Sequence, residues 1–187
     1  MNYQIFSTLF QDTHTPNAWI NLAENTSPMV TVLTTHLLCE GFLEAYICSK
    51  VNIPDLFSDT PEAGKVKFRM QFSSKLKFAQ RLGLPLDAYK AIDILNNVRN
   101  EFAHRLLQAE ISNEKINQIA ANVNKIHCYE NQHALEEEKF EYTSEDGQTS
   151  HIYAFNDPQT PNAMKLIIAY GSLITRLIQL FKDKYKK

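Results

Sequence analysis

The chain has 187 residues, 19 Lys and Arg against 21 Asp and Glu for a formal net charge of −2, and 44% hydrophobic residues. That length suffices for one domain with a real core, and the apolar content is too high for a disordered chain. The near-neutral balance excludes a general attraction to nucleic acid, so any contact with it must rest on a local patch.

Residues 1–19 carry no basic segment followed by an apolar run, so no secretory signal is expected. Glu, Lys, His or Thr interrupts each apolar stretch, so no membrane span is expected either, and the anticipated location is cytoplasmic. A first short helix is predicted over Asn17–Asn25. Ser27 suits an N-cap and Pro28 the first helical position, which opens a long helix to about Lys50. This helix is apolar almost all round (Val32, Leu33, Leu37, Leu38, Phe42, Leu43, Tyr46, Ile47), the pattern of a central, buried element. Pro54 and Pro61 mark a loop, and a helix follows over Phe68–Leu82, stopped by Gly83 and Pro85. The next helix runs from Asp87 to about Gln108, and Ser112 or Asn113 caps another to about His127. Residues 128–159 form a polar, acidic insert with a turn signal at Glu145-Asp146-Gly147. Alternation in Phe140–Tyr142 and His151–Phe155 predicts a short hairpin around that turn. Thr160-Pro161 opens the last helix, with Met164, Ile167, Ile168, Gly171, Ile174, Ile178 and Phe181 at helical spacing before a basic tail. The expected architecture is all-α: one domain over residues 1–187, a bundle of five to six helices with the 128–159 insert before the last.

Charge is unevenly spread. Lys65, Lys67, Arg69, Lys75, Lys77, Arg81 and Lys90 stand against Asp87 alone, while Glu136, Glu137, Glu138, Glu141, Glu145 and Asp146 stand against Lys139. These are either two solvated faces or a phosphate-facing surface with its acidic counterpart. After the basic stretch comes Leu95-Asn-Asn-Val-Arg-Asn-Glu-Phe-Ala-His104, which sets Arg99 and His104 in one helix. Such a pair can act on a phosphodiester, one group moving a proton and the other holding phosphate charge. Helical geometry gathers Ile92, Leu95, Val98, Phe102 and Leu106 on a core face, and Asp93, Asn97, Asn100 and His104 on a polar stripe. Arg99 points about 140° away from His104, so reach, a bend or a second subunit must bring the two together. In the long apolar helix His36, Glu40 and Glu44 recur every fourth residue, and buried carboxylates need partners. Arg99 is the expected partner of Glu40 or Glu44; on that view Arg99 is either a core arginine satisfied by glutamate or a phosphate ligand oriented by it.

Arg99-Asn-Glu-Phe-Ala-His104, late in a helix of an all-helical chain, resembles the Arg-x4–6-His signature of the HEPN superfamily, in which a polar residue such as Asn100 commonly follows the arginine. Within it, Phe72-Ser-Ser-Lys-Leu-Lys-Phe-Ala-Gln-Arg-Leu-Gly-Leu84, Tyr89 and Leu95–His104 are similar to the mannitol operon repressor family, and the helices around Leu33–Glu44 and Leu166–Phe181 fit that layout. The resemblance implies a helical bundle, usually a homodimer, whose Arg/His helices meet across a cleft. For members with an intact motif it implies metal-independent RNA cleavage, often as a toxin or phage-defence component with an antitoxin or nucleotidyltransferase-like partner. His104 would then be general base or acid, Arg99 would hold the scissile phosphate, and Asn100 would orient either. Glu40 or Glu44 would position Arg99, and Lys75, Lys77 and Arg81 would guide the RNA backbone. The same resemblance allows a non-catalytic regulator acting by protein–protein contact.

Other chemistry is poorly supported. Cys39, Cys48 and Cys128 lack metal-ligand spacing and are expected as reduced thiols, and His127, His133 and His151 with Cys128 match no zinc pattern. No metal or cofactor is expected. Gly-x-Ser-x-Gly and the phosphate-loop motif are missing from the sequence. Trp19, Phe68, Phe72 and Phe78 are expected in the core, with base stacking as the alternative role.

Overall fold

In the computed structural model, residues 1–24, 27–58, 66, 68–104, 110–128, 132–143 and 150–185 are described, the last two as backbone only. The elements in chain order are α1 (Tyr3–Thr13), α2 (Pro16–Glu24), α3 (Pro28–Val51), α4 (Phe72–Arg81), α5 (Leu86–His104), α6 (Asn113–Val123), a single 3-10 turn (Leu135–Glu137), β1 (Lys139–Thr143), β2 (Ser150–Ala154) and α7 (Asn162–Tyr185). It is an all-α bundle with a two-stranded antiparallel hairpin before the last helix.

α3 is the axis. Its apolar residues surround the whole helix, so it can be stable only with neighbours on every side, and α1, α4, α5 and α7 all pack against it. Phe42, Leu43, Tyr46 and Ile47 are fully buried. α3 ends where Asn52 takes a left-handed conformation (φ 61°), a C-cap that asparagine tolerates better than most side chains. Three contacts give the running directions. Phe72 at the start of α4 stacks on His36 at 4.0 Å, whereas the Tyr46 hydroxyl donates to the Leu82 carbonyl just past its end at 3.2 Å, so α4 runs parallel to α3. Gly83 (φ 99°) then reverses the chain, a backbone conformation that costs any other residue a steric penalty. α5 returns antiparallel, which sets Asn96 beside His36 at 3.2 Å.

α1 carries no strong pattern in the sequence and was not expected as a helix. Phe6 is its one buried residue, meeting Phe42 and Phe181 edge-on at 5.9 and 5.7 Å. Gly41 of α3 permits the close approach: a side chain there would meet Thr13 at 2.9 Å. α4 starts at Phe72 rather than Phe68, because Gln71 is extended (ψ 152°) and residues 68–70 are not helical. α6 ends at Val123, short of His127, and is capped as expected by Ser112, whose side chain accepts from the Lys115 amide. Leu106 and Gln108, and the Glu145-Asp146-Gly147 turn, lie outside the described residues.

The insert is not mere decoration. Leu135 is fully buried, and its amide donates to Asn124 Oδ1 at 2.8 Å, while Asn124 Nδ2 donates to Glu136. The last helix corrects one expectation. Residues Asn162–Asp183 are long and apolar enough to cross a membrane by length and composition, and 67% of the apolar window is buried in the bundle. Glu, Lys, His or Thr was expected to interrupt every apolar stretch, yet this one is long enough; its Arg176 is turned into the protein rather than out of it.

Candidate functional site

α5 obeys its sequence pattern. Ile92, Leu95, Val98 and Phe102 are at most 3% exposed, which fixes the helix's rotation against α3. The other stripe is then forced outward: Asn97, Asn100 and His104 are exposed and Asp93 is half-buried. Arg99 lies between the two faces, half-buried, and its Nη1 donates to Asn100 Oδ1 at 3.2 Å. His104 is the last described residue of α5. Arg99 and Asn100 are thus in contact, and His104 stands exposed one turn beyond Asn100 on the same stripe.

The expected partner of Arg99 is corrected. Glu40 and Glu44 bind Lys75 instead: Lys75 Nζ lies 2.5 Å from Glu40 Oε1 and also donates to Glu44 Oε1. Lys75 is 6% exposed, so it is no RNA-guiding surface cation. Burial alone would lower its pKa, and the hydrogen bonds and charge of the two glutamates outweigh it, holding the ammonium above the ordinary lysine range. The reason is register. α4 runs parallel to α3, so Phe72 meets His36 and Lys75, one turn later, meets the next two members of the every-fourth-residue stripe. Arg99 is left beside His36, whose pKa is lowered chiefly by burial, with the nearby guanidinium adding to the effect and the Asn96 hydrogen bond opposing it.

Lys77 and Arg81 are exposed and share the outward stripe of α4. Five residues beyond the Phe72–His36 level in one direction, against eight beyond the Asn96–His36 level in the other, puts Lys77 about 20 Å along the bundle from His104. They lie too far away to touch the same phosphodiester as His104, though a strand a few nucleotides long spans the gap.

The sequence reading overlooked two buried polar groups. His14 Nε2 lies 2.7 Å from the Tyr170 hydroxyl, and its Nδ1 lies 2.8 Å from Thr13 Oγ1. Thr13 Oγ1 donates to the Phe10 carbonyl, so it accepts from Nδ1–H, and Nε2 accepts from Tyr170; the ring is neutral. Tyr170 in turn bonds Cys39, whose thiol pKa burial pushes far up, and burial lowers that of His14 to about 4. A pKa depressed in the fold means stability that is whole above about 6.5 and falls away as pH drops toward about 4, by up to about 3 kcal/mol. Melting curves between pH 7.5 and 4.5 should therefore show a decline that flattens in His14→Gln, which keeps hydrogen bonding but does not titrate; an unchanged slope would remove His14 as its source. Signal for this group existed: Phe6, Phe10 and His14 recur every fourth residue.

The second group is Arg176 on α7, 2% exposed. Nη1 donates to the Val123 carbonyl at 2.8 Å, and Nη2 to the His133 carbonyl at 2.9 Å and Glu138 Oε1 at 3.2 Å. Ser172 Oγ donates to the same Glu138 oxygen at 2.7 Å. Beside it is a hollow of about 530 Å³ between Trp19, α7 and the insert. Two further hollows measure about 420 Å³ beside α1 and α3 and about 300 Å³ around Lys75. Neither Arg99, Asn100 nor His104 lines any of these three. Among the described residues no group of His, Cys, Asp and Glu is placed to hold a metal, and Cys39, Cys48 and Cys128 are free thiols.

Comparison with protein-family models, curated proteins and solved structures finds no match to this chain. The class that fold and site define is thus an all-α bundle with a hairpin insert.

Proposed function

We propose that this chain is an endoribonuclease of the HEPN type, a toxin or phage-defence component that cleaves RNA through Arg99 and His104 without recruiting a metal. The observation that carries the reading is the exposed edge of α5, where Arg99 is held by Asn100 and His104 stands exposed one turn on. His104 takes the proton of a ribose 2′-hydroxyl, or returns one to the leaving 5′-oxygen. Arg99 binds the scissile phosphate and stabilises the charge that builds in the transition state. The products are a 2′,3′-cyclic phosphate and a 5′-hydroxyl. Two copies supply the convergence that one helix cannot. The half of α3 running beside the motif end of α5 leaves Val30 and Leu37, seven residues apart on one stripe, 41% and 64% exposed, and an apolar stripe of this kind suits contact with a second copy.

A regulator acting by protein contact is the competing reading. It is favoured by that same apolar stripe. Expression in a bacterial host separates the two. The nuclease reading expects wild type to arrest growth and His104→Ala and Arg99→Ala each to relieve the arrest at equal protein level. Equal growth of all three would favour the regulator.

A further inference from the structure

The net charge of the chain is −2, so an RNA strand is drawn to it only where cations gather locally. One such place lies on the outer face of the α4–α5 pair. Lys77 and Arg81 on α4 and Lys90 on α5 are exposed, and none of the three forms an ion pair with a described residue. Lys77 lies five residues past the level where Phe72 meets His36, and Lys90 six residues before the level where Asn96 meets His36. Because α5 runs against α4, the two lysines stand at the same height within about 2 Å, with Arg81 one turn further on.

Lys90 shares the outward side of α5 with His104. The two are fourteen residues apart on one helix, which is about 21 Å along its axis and about 40° around it. Between them Asn97 and Asn100 are exposed. Asn97 makes no side-chain hydrogen bond among the described residues, and Asn100 uses only its Oδ1, on Arg99. An amide both donates and accepts, which suits ribose hydroxyls and base edges better than phosphate. The stripe carries one acid, the half-buried Asp93, and the neighbouring Glu101 is engaged by Lys115 at 3.5 Å. The face thus has cations at one end, amides in the middle, and Arg99 and His104 at the other end.

We propose that a single strand of RNA lies along this face. Lys77, Lys90 and Arg81 hold its phosphates about 20 Å from the bond to be cut, and the nucleotides between rest on Asn97 and Asn100. The proposal rests on the nuclease reading of Arg99 and His104 and names its substrate, an unpaired segment long enough to reach both ends. A duplex fits less well. The major groove of paired RNA is too deep and narrow for side chains to read, whereas the bases of a single strand can turn toward the helix.

Binding is measured with the intact protein carrying His104→Ala, which keeps the RNA whole, and a fluorescein-labelled single-stranded decanucleotide. Adding Lys77→Ala, Arg81→Ala and Lys90→Ala together should weaken binding at least ten-fold near physiological salt. It should also flatten the plot of log affinity against log salt by about 2, since each phosphate contact on a single strand contributes about 0.7 to the slope. The same change of charge at Lys125, Lys139 and Lys182, all exposed and outside α4 and α5, should weaken it less than three-fold. On RNA that wild type cleaves, the three α4–α5 substitutions alone should raise KM and leave kcat as it is. Binding of this pattern by a protein that cleaves nothing would refute the nuclease reading and leave the strand-binding face standing. Affinity and salt slope unchanged by the α4–α5 substitutions, an equal loss from the control substitutions, or a duplex held as tightly as the single strand would overturn the proposal.

Discussion

Replacing Arg176 with methionine should destabilise the protein by about 3–5 kcal/mol, the scale for breaking a buried charge pair from one side. Methionine keeps most of the aliphatic volume, so the loss isolates the guanidinium. It would leave the Val123 and His133 carbonyls without their donor and Glu138 without its buried cation. Each stranded acceptor costs roughly 1–3 kcal/mol where water cannot reach it. Glu138 is 30% exposed and can turn toward solvent, which keeps the total from rising further. Denaturant midpoints for Arg176→Met against Lys182→Met, an exposed position on the same helix, would measure this. A difference under 1 kcal/mol would show that the guanidinium does not tie α6, the insert and α7 together.

Arg176 also shows where the sequence is legible and where it is not. A single arginine amid Leu173, Ile174, Leu177 and Ile178 signals a buried charge in need of partners, and the acidic run Glu136–Glu138 offers one. What the sequence cannot give is which glutamate, because a two-residue shift of the insert would substitute Glu136 for Glu138. The same limit explains Lys75. The stripe of His36, Glu40 and Glu44 announced that α3 would need a cation, and Arg99 was the expected one. Choosing between Arg99 and Lys75 depends on the direction and register of α4 against α3. Those follow from Gly83 and from the packing of Phe72 on His36, neither of which local pattern resolves.

By contrast the rotation of α5 follows from its own residues. Four apolar side chains at helical spacing leave one way to bury them, and the exposure of Asn97, Asn100 and His104 is then fixed. α3 was legible for a related reason, since few elements other than a central helix can bury apolar residues on all sides. α1 was not, because it buries a single residue, Phe6, and depends on Gly41 for its close seat. The hairpin was legible from alternation: Phe140 and Tyr142 face the same way as Tyr153 and His151, their partners in register. Its turn signal lies outside the described residues.

The central claim is that Arg99 and His104 of two associated copies act on one phosphodiester, and a cleavage assay with purified protein addresses it most directly. A 5′-labelled single-stranded RNA would be incubated with wild type, Arg99→Ala, His104→Ala and an equimolar mixture of the two variants, with chelator present throughout. Wild type is expected to yield 2′,3′-cyclic phosphate ends. Each variant should be slower by at least about 10²-fold, the typical worth of a positioned acid–base group or of a phosphate-charge ligand. Their mixture should recover about a quarter of the wild-type rate, since half of randomly paired two-fold dimers are mixed and each holds one intact site of two. Variants that cut as fast as wild type, or a wild-type protein that leaves the RNA whole, would contradict the claim.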